Sequence, residues 1–208
     1  MSIAIIDYGA GNLRSVAKAF EAVGIQAEIT KDKVAIRNAK GIVLPGVGSF
    51  DSAISELRTQ SLEGLIEEAI ALGKPFLGIC LGMQHLFESS EEGSQKGLAL
   101  FKGSVKKFKF AGTPWSNLSI PHMGWNRLMF KQKAAIFDGI DEGTMMYFAH
   151  SYHVVPAEEK LVAARTDYGV EFVSAIAKDN VFGIQFHPEK SGPAGLQILK
   201  NFGALCLK

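Results

Sequence analysis

"KPFLGICLGMQHLFES", residues 74–89, sets one cysteine between two glycines, with an apolar run before it and helix-forming residues after it. The run "PFLGIC" (75–80) has the continuous apolar character of a strand buried on both faces. The residues that follow predict a helix through His85 and Phe87, so the thiol stands at a strand-to-helix turn.

Reading outward, the first half repeats this alternation. "SIAIID" (2–7), "IQAEIT" (25–30) and "GIVLPG" (41–46) predict buried strands, while "NLRSVAKAFEAVG" (12–24) and "SLEGLIEEAIALG" (61–73) carry apolar residues at helical spacing and stop at Gly24 and Gly73. Such a βαβ series implies an α/β fold built on an open, mostly parallel sheet with flanking helices. After the acidic loop "ESSEEGSQKG" (88–97) the pattern changes to strand after strand: "SVKKFKF", "TMMYFAH", "LVAARTDY", "EFVSAIAK" and "NVFGIQFH". Antiparallel strand additions in the C-terminal half are the expected outcome. Residues 192–207 place Leu196, Leu199, Phe202 and Cys206 on one face of a closing helix. No repeat or linker interrupts the chain, so one domain over residues 1–208 is expected.

Composition narrows the function classes. Of 208 residues, 47 % are hydrophobic and 21 % charged, as in a globular protein, and a formal net charge of +1 gives no electrostatic reason for a nucleic-acid or anionic-membrane partner. A small-molecule substrate is the expectation. No run reaches the ~18 apolar residues of a membrane span, and the N-terminus has no basic leader, which together predict a cytoplasmic protein. Two cysteines in unlike surroundings, Cys80 and Cys206, argue against a disulfide framework and leave room for a functional thiol.

Residues 78–82, "GICLG", have the form Gly-x-nucleophile-x-Gly. In such a turn the nucleophile takes a strained backbone conformation, and the glycines let neighbouring chain pass where a Cβ would collide. A thiol at a helix N-terminus also ionises more readily, its usual pKa of ~8.5 falling to roughly 3.5–7.5 in such surroundings. Taken alone, the pentapeptide also fits a buried cysteine acting as a small hydrophobe. A nucleophile needs a base, and "GIQFHPEKSG" (183–192) supplies the candidate: His187 at a strand end, Pro188 to stop the strand, and Glu189 to orient the imidazole. Open α/β sheets place their sites at that edge. An oxyanion hole would draw on the N–H of Leu81 and on "LPGVGSF" (44–50), whose glycines can turn amide groups toward a ligand. A plain glycine turn is equally compatible with those residues in isolation.

Together "GICLGMQ", "FHPE" and "PGVGSF" resemble the class I, triad-type glutamine amidotransferases, in the right order and over essentially the whole chain. "IPHMGWN" (120–126), "YFAHSYH" (147–153) and "IDYGAGNLRS" (6–15) are similar to one branch of that family, the glutaminase subunits of imidazole glycerol phosphate synthase in histidine biosynthesis. The resemblance implies Cys80 as nucleophile, His187 as general base and acid, and Glu189 as its orienting carboxylate. It implies Val47 and Gly48 as the oxyanion strand completed by Leu81. Gln84, Gly48, His150, Ser151 and Tyr152 would hold L-glutamine, and Asn12 and Lys190 would lie near a (β/α)8 cyclase subunit in a heterodimer. No cofactor and no metal are implied. A further expectation is that the free subunit has an incompletely formed oxyanion hole, which partner binding completes by reorienting Val47 and Gly48.

Rival readings are weaker. In "GAGNLRS" Arg14 occupies the third glycine position of a dinucleotide fingerprint. His150 and His153, three apart on one strand, should point to opposite faces and so do not make a metal pair. The glutaminase subunit of pyridoxal phosphate synthesis has a different oxyanion segment. A stand-alone cysteine hydrolase would not need the Gln84, PGVG and HPE set together, and a non-catalytic binding subunit would be expected to lose Cys80, His187 or Glu189.

Overall fold

The computed structural model describes residues 3–9 and 11–207, so the Ser2 end of the first expected strand and Ala10 of "GAGN" lie outside the described residues. β1 (Ile3–Ile6), α1 (Leu13–Ala22) and β2 (Ala27–Thr30) form the first crossover. α2 (Lys33–Asn38) leads to β3 (Gly41–Gly46), and α3 (Phe50–Thr59) with α4 (Glu63–Ala71) leads to β4 (Phe76–Cys80). There follow α5 (Leu81–Gln84), β5 (Phe87–Ser90), β6 (Phe101–Lys107), β7 (His122–Arg127), β8 (Met129–Phe130), β9 (Met145–His150) and β10 (Tyr152–Pro156). β11 (Val162–Asp167), β12 (Glu171–Lys178), β13 (Val181–Ile184) and α6 (Gly192–Cys206) end the chain.

The main sheet runs in the order β2-β1-β3-β4-β13-β12-β10-β6-β5, with β11 and β8 branching from β12, and β7 pairs β9 in a separate ribbon. β2, β1, β3, β4 and β13 are mutually parallel. Every residue of β1, β3, β4 and β13 is buried, because both faces are covered. Ile3, Ile5, Val43, Leu77 and Ile79 pack with residues of α1 and α6, and Ala4, Ile6, Ile42, Leu44 and Phe76 pack with residues of α3 and α4. Each large apolar side chain so buried contributes about 1.5–3 kcal/mol. Phe20 of α1 meets Phe202 of α6 with ring centroids 6.4 Å apart.

The C-terminal half adds antiparallel pairs as expected, β12 with β13, β11 and β10, and β10 with β6. β13 turns back parallel to β4, with Gly183 opposite Gly78 and Ile184 opposite Ile79. Asn180 fastens that strand in place: its carbonyl accepts from Phe76 N–H at 2.8 Å, and its side-chain amide donates to Ile70 and Lys74 carbonyls at 3.0 and 2.7 Å. These bonds also satisfy carbonyls at the end of α4, which lack helical partners. No helix among the described residues is long and apolar enough to cross a membrane.

Three local expectations are corrected. The helix after Cys80 stops at Gln84 instead of running through Phe87. The carbonyls of His85 and Leu86 accept from Leu98 and Phe101 N–H groups, and Phe87 opens β5, whose pairing with β6 buries its ring. The acidic stretch 88–97 therefore begins as strand. His150 and His153 do not point to opposite faces of one strand: β9 ends at His150, β10 begins at Tyr152 in the other sheet, and both imidazoles lie against the Phe108 ring, at 5.4 and 4.8 Å.

Candidate active site

The carboxyl ends of β3, β4 and β13 lie side by side, and each carries one part of a site at the edge where open α/β sheets bind ligands. Cys80 ends β4 with φ 54° and ψ −110°, a region that costs a non-glycine residue on the order of 1–3 kcal/mol. Flanking glycines permit it. A Cβ at Gly82 would lie 1.8 Å from the Leu44 carbonyl oxygen, and one at Gly78 would lie 2.7 Å from the carbonyl oxygen of Gly82. The turn thus presses α5 against β3 and β4 and can do so only with glycine on both sides.

β13 delivers the imidazole. The strand expected to run to His187 stops at Ile184; the chain bends through Gln185 and Phe186 and is extended again at His187, whose N–H donates to the Tyr147 carbonyl at 2.9 Å. The Ser191 hydroxyl accepts from Tyr147 N–H at 3.0 Å and donates to the His187 carbonyl at 2.6 Å, clamping the following 3-10 turn, Pro188–Lys190. Glu189, at N2 of that turn, is brought back to face the ring: its Oε1 lies 3.0 Å from His187 Nδ1, and its side chain is almost wholly buried. A carboxylate oxygen can only accept, so Nδ1 carries the proton and Nε2 is left for the thiol. Burial acts to lower the pKa of His187, but hydrogen bonds to Cys80 and Glu189 and their charges outweigh it, raising it to about 10. The ring is thereby biased toward its protonated form.

A cavity of about 270 Å³ opens over the sulfur, lined by Val47, Gly48, Cys80, Leu81, Gln84, Glu92, Pro121, Ala149, His150, Ser151 and Tyr152. Every residue expected to form the oxyanion hole or hold substrate is in that lining. His187 and Glu189 stand behind Cys80. Asn12 and Lys190 do not reach the cavity; Asn12 precedes α1, which packs against the turn containing Lys190, so both fall on a neighbouring edge.

Two residues enter that the sequence reading passed over. Glu92 brings a carboxylate to the cavity, and its Oε2 accepts from Phe50 N–H at 2.8 Å, closing the N-terminus of α3 directly after the glycine turn. Its sequence signal was hidden in an acidic run that reads as a solvated loop. Gln185, fully buried, donates from Nε2 to Cys80 Sγ at 3.4 Å and accepts from Gln84 Nε2 at 3.1 Å. A lone amide inside the apolar run "VFGIQF" was the available clue.

Behind His150 lies a dry aromatic cluster. His150 Nδ1 donates to the Tyr152 carbonyl at 2.8 Å, which leaves its Nε2 as acceptor for His122 Nδ1 at 3.2 Å. Burial lowers the pKa of His122 to about 4 and that of His150 to about 3, so both rings are neutral at pH 7. Tyr8 approaches from the other side, its buried hydroxyl donating to the Pro45 carbonyl at 2.9 Å; burial and then the Cys80 charge raise its pKa.

Residues 4–205 match the family model described as glutamine amidotransferase class-I. The chain is 50 % identical over 204 residues to imidazole glycerol phosphate synthase subunit HisH of Moorella thermoacetica, covering 98 % of this chain and 94 % of the relative. It is 52 % identical over 204 residues to the protein of the same name from Caldanaerobacter subterraneus subsp. tengcongensis, covering 98 % of each. Among solved structures, one described as a glutamine amidotransferase superposes with a TM-score of 0.77 at 18 % identity over all of both chains. The PurLQS structure from Thermotoga maritima gives 0.75 at 21 % identity over 97 % of this chain and 96 % of that one, a likeness of fold.

Proposed function

The chain belongs to the class-I glutamine amidotransferases, and from that premise we propose that it is the glutaminase subunit of an imidazole glycerol phosphate synthase, a single amidotransferase domain over residues 1–208. The observation that carries the reading is the placement of His187 between Cys80 and Glu189 at the back of a small polar cavity.

In this mechanism the Cys80 sulfur attacks the carboxamide carbon of L-glutamine as thiolate, and the carbonyl oxygen takes the negative charge. Leu81 N–H, first in the chain after the nucleophile, and a backbone N–H from Val47 and Gly48 stabilise that oxygen. His187, already protonated, transfers its Nε2 proton to the departing nitrogen, and ammonia leaves with the electrons of the broken C–N bond. A glutamyl thioester remains. Water then attacks the thioester carbon while His187, now neutral, takes its proton; glutamate departs and the imidazolium and thiolate are restored. Glu189 holds Nδ1–H throughout and balances the ring's charge.

Gln84, Ser151 and the main chain at Tyr152 form the cavity floor that would position the substrate's amino-acid end. Glu92 supplies the one carboxylate in the lining, suited to an α-ammonium group. Ammonia would pass to a (β/α)8 cyclase subunit, with Asn12 and Lys190 near the boundary of a heterodimer. There it would react with a phosphoribulosyl-formimino carboxamide ribotide to give imidazole glycerol phosphate and the aminoimidazole carboxamide ribotide.

The test is glutamate release from glutamine by the purified chain, alone and then with a cyclase subunit and its ribotide ligand, with Cys80→Ala as blank. Stimulated release that the substitution abolishes is expected. A complex that forms yet releases no glutamate under either condition overturns the reading.

A further inference from the structure

We infer that Gln185 is a positioning residue for the nucleophile, presenting a fixed N–H donor to Cys80 Sγ and tying the sulfur to the substrate-facing Gln84. This rests on the reading of Cys80 as nucleophile and extends it by one residue that the triad does not include.

Side-chain amides can be turned end for end, but here the surroundings decide. The Tyr152 carbonyl can only accept, and it lies 3.1 Å from the amide nitrogen of Gln84 and 2.8 Å from Nδ1 of His150. Two donors occupy its two lone pairs. Gln84 must therefore keep its –NH2 on that side, and its second N–H meets Oε1 of Gln185 at 3.1 Å. With its oxygen so engaged, Gln185 has only N–H to offer at its other end, where Cys80 Sγ lies 3.4 Å away. The donor direction at the sulfur is thus imposed from a backbone carbonyl two side chains distant.

The main chain of Gln185 is equally fixed, its N–H donating to the Ser174 carbonyl at 2.9 Å. The residue is fully buried in an apolar strand end, where an unpartnered amide would be expensive. Its placement has two consequences for turnover. A donor on the sulfur stabilises the anionic over the neutral form and holds the side chain in one rotamer. Using both N–H groups of Gln84 leaves only that residue's carbonyl oxygen for a ligand in the cavity it lines, so one network orients the nucleophile and a substrate contact together.

The experiment is the rate of Cys80 alkylation by iodoacetamide in the full chain, read on the Cys80 peptide by mass spectrometry between pH 5 and 9, beside Tm and steady-state kinetics. Gln185→Met keeps the volume and removes the donor. About a tenfold slower alkylation at pH 7 is expected, the size of one hydrogen bond to a charged group, with a matching loss in kcat. Gln84→Met should slow alkylation in the wild-type background and leave it unchanged in Gln185→Met, because its effect on the sulfur travels through Gln185. It also serves alone if Gln185→Met does not fold, slower alkylation supporting the network. Wild-type alkylation rates in either soluble variant, with only Tm lowered, would make Gln185 a filler of the core and overturn the inference while leaving the triad intact. Turnover that survives Cys80→Ala would instead remove the nucleophile, and this inference with it.

Discussion

Behind one wall of the cavity Cys80, Gln185 and His187 are almost inaccessible, Cys80 tied to Gln185 and His187 to Glu189 by side-chain hydrogen bonds. On the facing wall Val47 is 44 % exposed, and Gly48 sits at φ +100° with open space where a Cβ would be. A second cleft of about 520 Å³, lined by Tyr8, Gly9, Ser49, Ser52, Ala53 and Glu56, opens behind Val47 and Gly48, so that this segment has room on both sides. The groups proposed to make and break bonds are set by the sheet, whereas the segment proposed to receive the oxyanion is set by a glycine turn that can reorient at low cost. The contrast fits the proposal of a nucleophile fixed in advance and an oxyanion segment that a partner completes.

The sharpest way to break this contrast is to remove a member of the pinned wall. Cys80→Ala should abolish glutamate release, and His187→Asn should lower kcat by about 10⁶-fold and also lower stability, because it leaves Glu189 buried without its partner. Next, addition of the cyclase subunit and ribotide should raise kcat by about 10²–10³-fold, the worth of one oxyanion donor. The alkylation rate of Cys80 should stay constant; a parallel rise in alkylation would place the change in the wrong wall.

Alanine at two glycines sharpens the comparison further. Gly82→Ala drives a Cβ into the Leu44 carbonyl and should cost about 3 kcal/mol or prevent folding, checked by soluble yield and urea unfolding. Gly48→Ala meets no neighbour and should cost only about 1 kcal/mol for its positive φ, while stimulation by the partner falls.

The smallest effect is on pH. His85, His122 and His150 are buried neutral, with pKa values lowered by desolvation to about 4, 4 and 3. The unfolded chain takes up protons at these rings near pH 6.5 and the folded chain does not, so their contribution is intact above 6.5 and is lost as pH falls through that window. His187 has the opposite sign: raised to about 10, it stabilises fully below 6.5 and loses that contribution as pH rises through 10. Stability measured against pH should therefore peak near pH 6.5 and fall on both sides, and His122→Phe should flatten the acid side.

Much of this was legible because the residues concerned act locally. Glycine, cysteine, glycine at the end of an apolar run specifies the turn at Cys80, whereas the strand expected to reach His187 stops at Ile184 and Pro188 opens the 3-10 turn instead. What stayed hidden depends on partners distant in sequence. Phe87 has helix-compatible neighbours, yet pairing with Phe101 draws it into a strand. The switch of sheets at Ser151, which brings His150 and His153 onto the same phenylalanine, comes from pairing with β7 on one side and β6 on the other. Gln185 and Glu92 matter through contacts 105 and 42 residues away in the chain, which no local pattern announces.

The backbone of Cys80 carries a lesson for protein engineering. Glycine tolerates φ 54° where any side chain is strained, so Cys80→Gly should relieve that strain while deleting the proposed nucleophile and leaving the buried Gln185 amide without its sulfur partner. A library sorted only for heat resistance would be blind to the loss of that thiol. Thermostabilisation of this chain is best sought at the other non-glycine residues of positive φ, Ser61, Ala99 and Asp179, where relief of strain leaves the thiol in place.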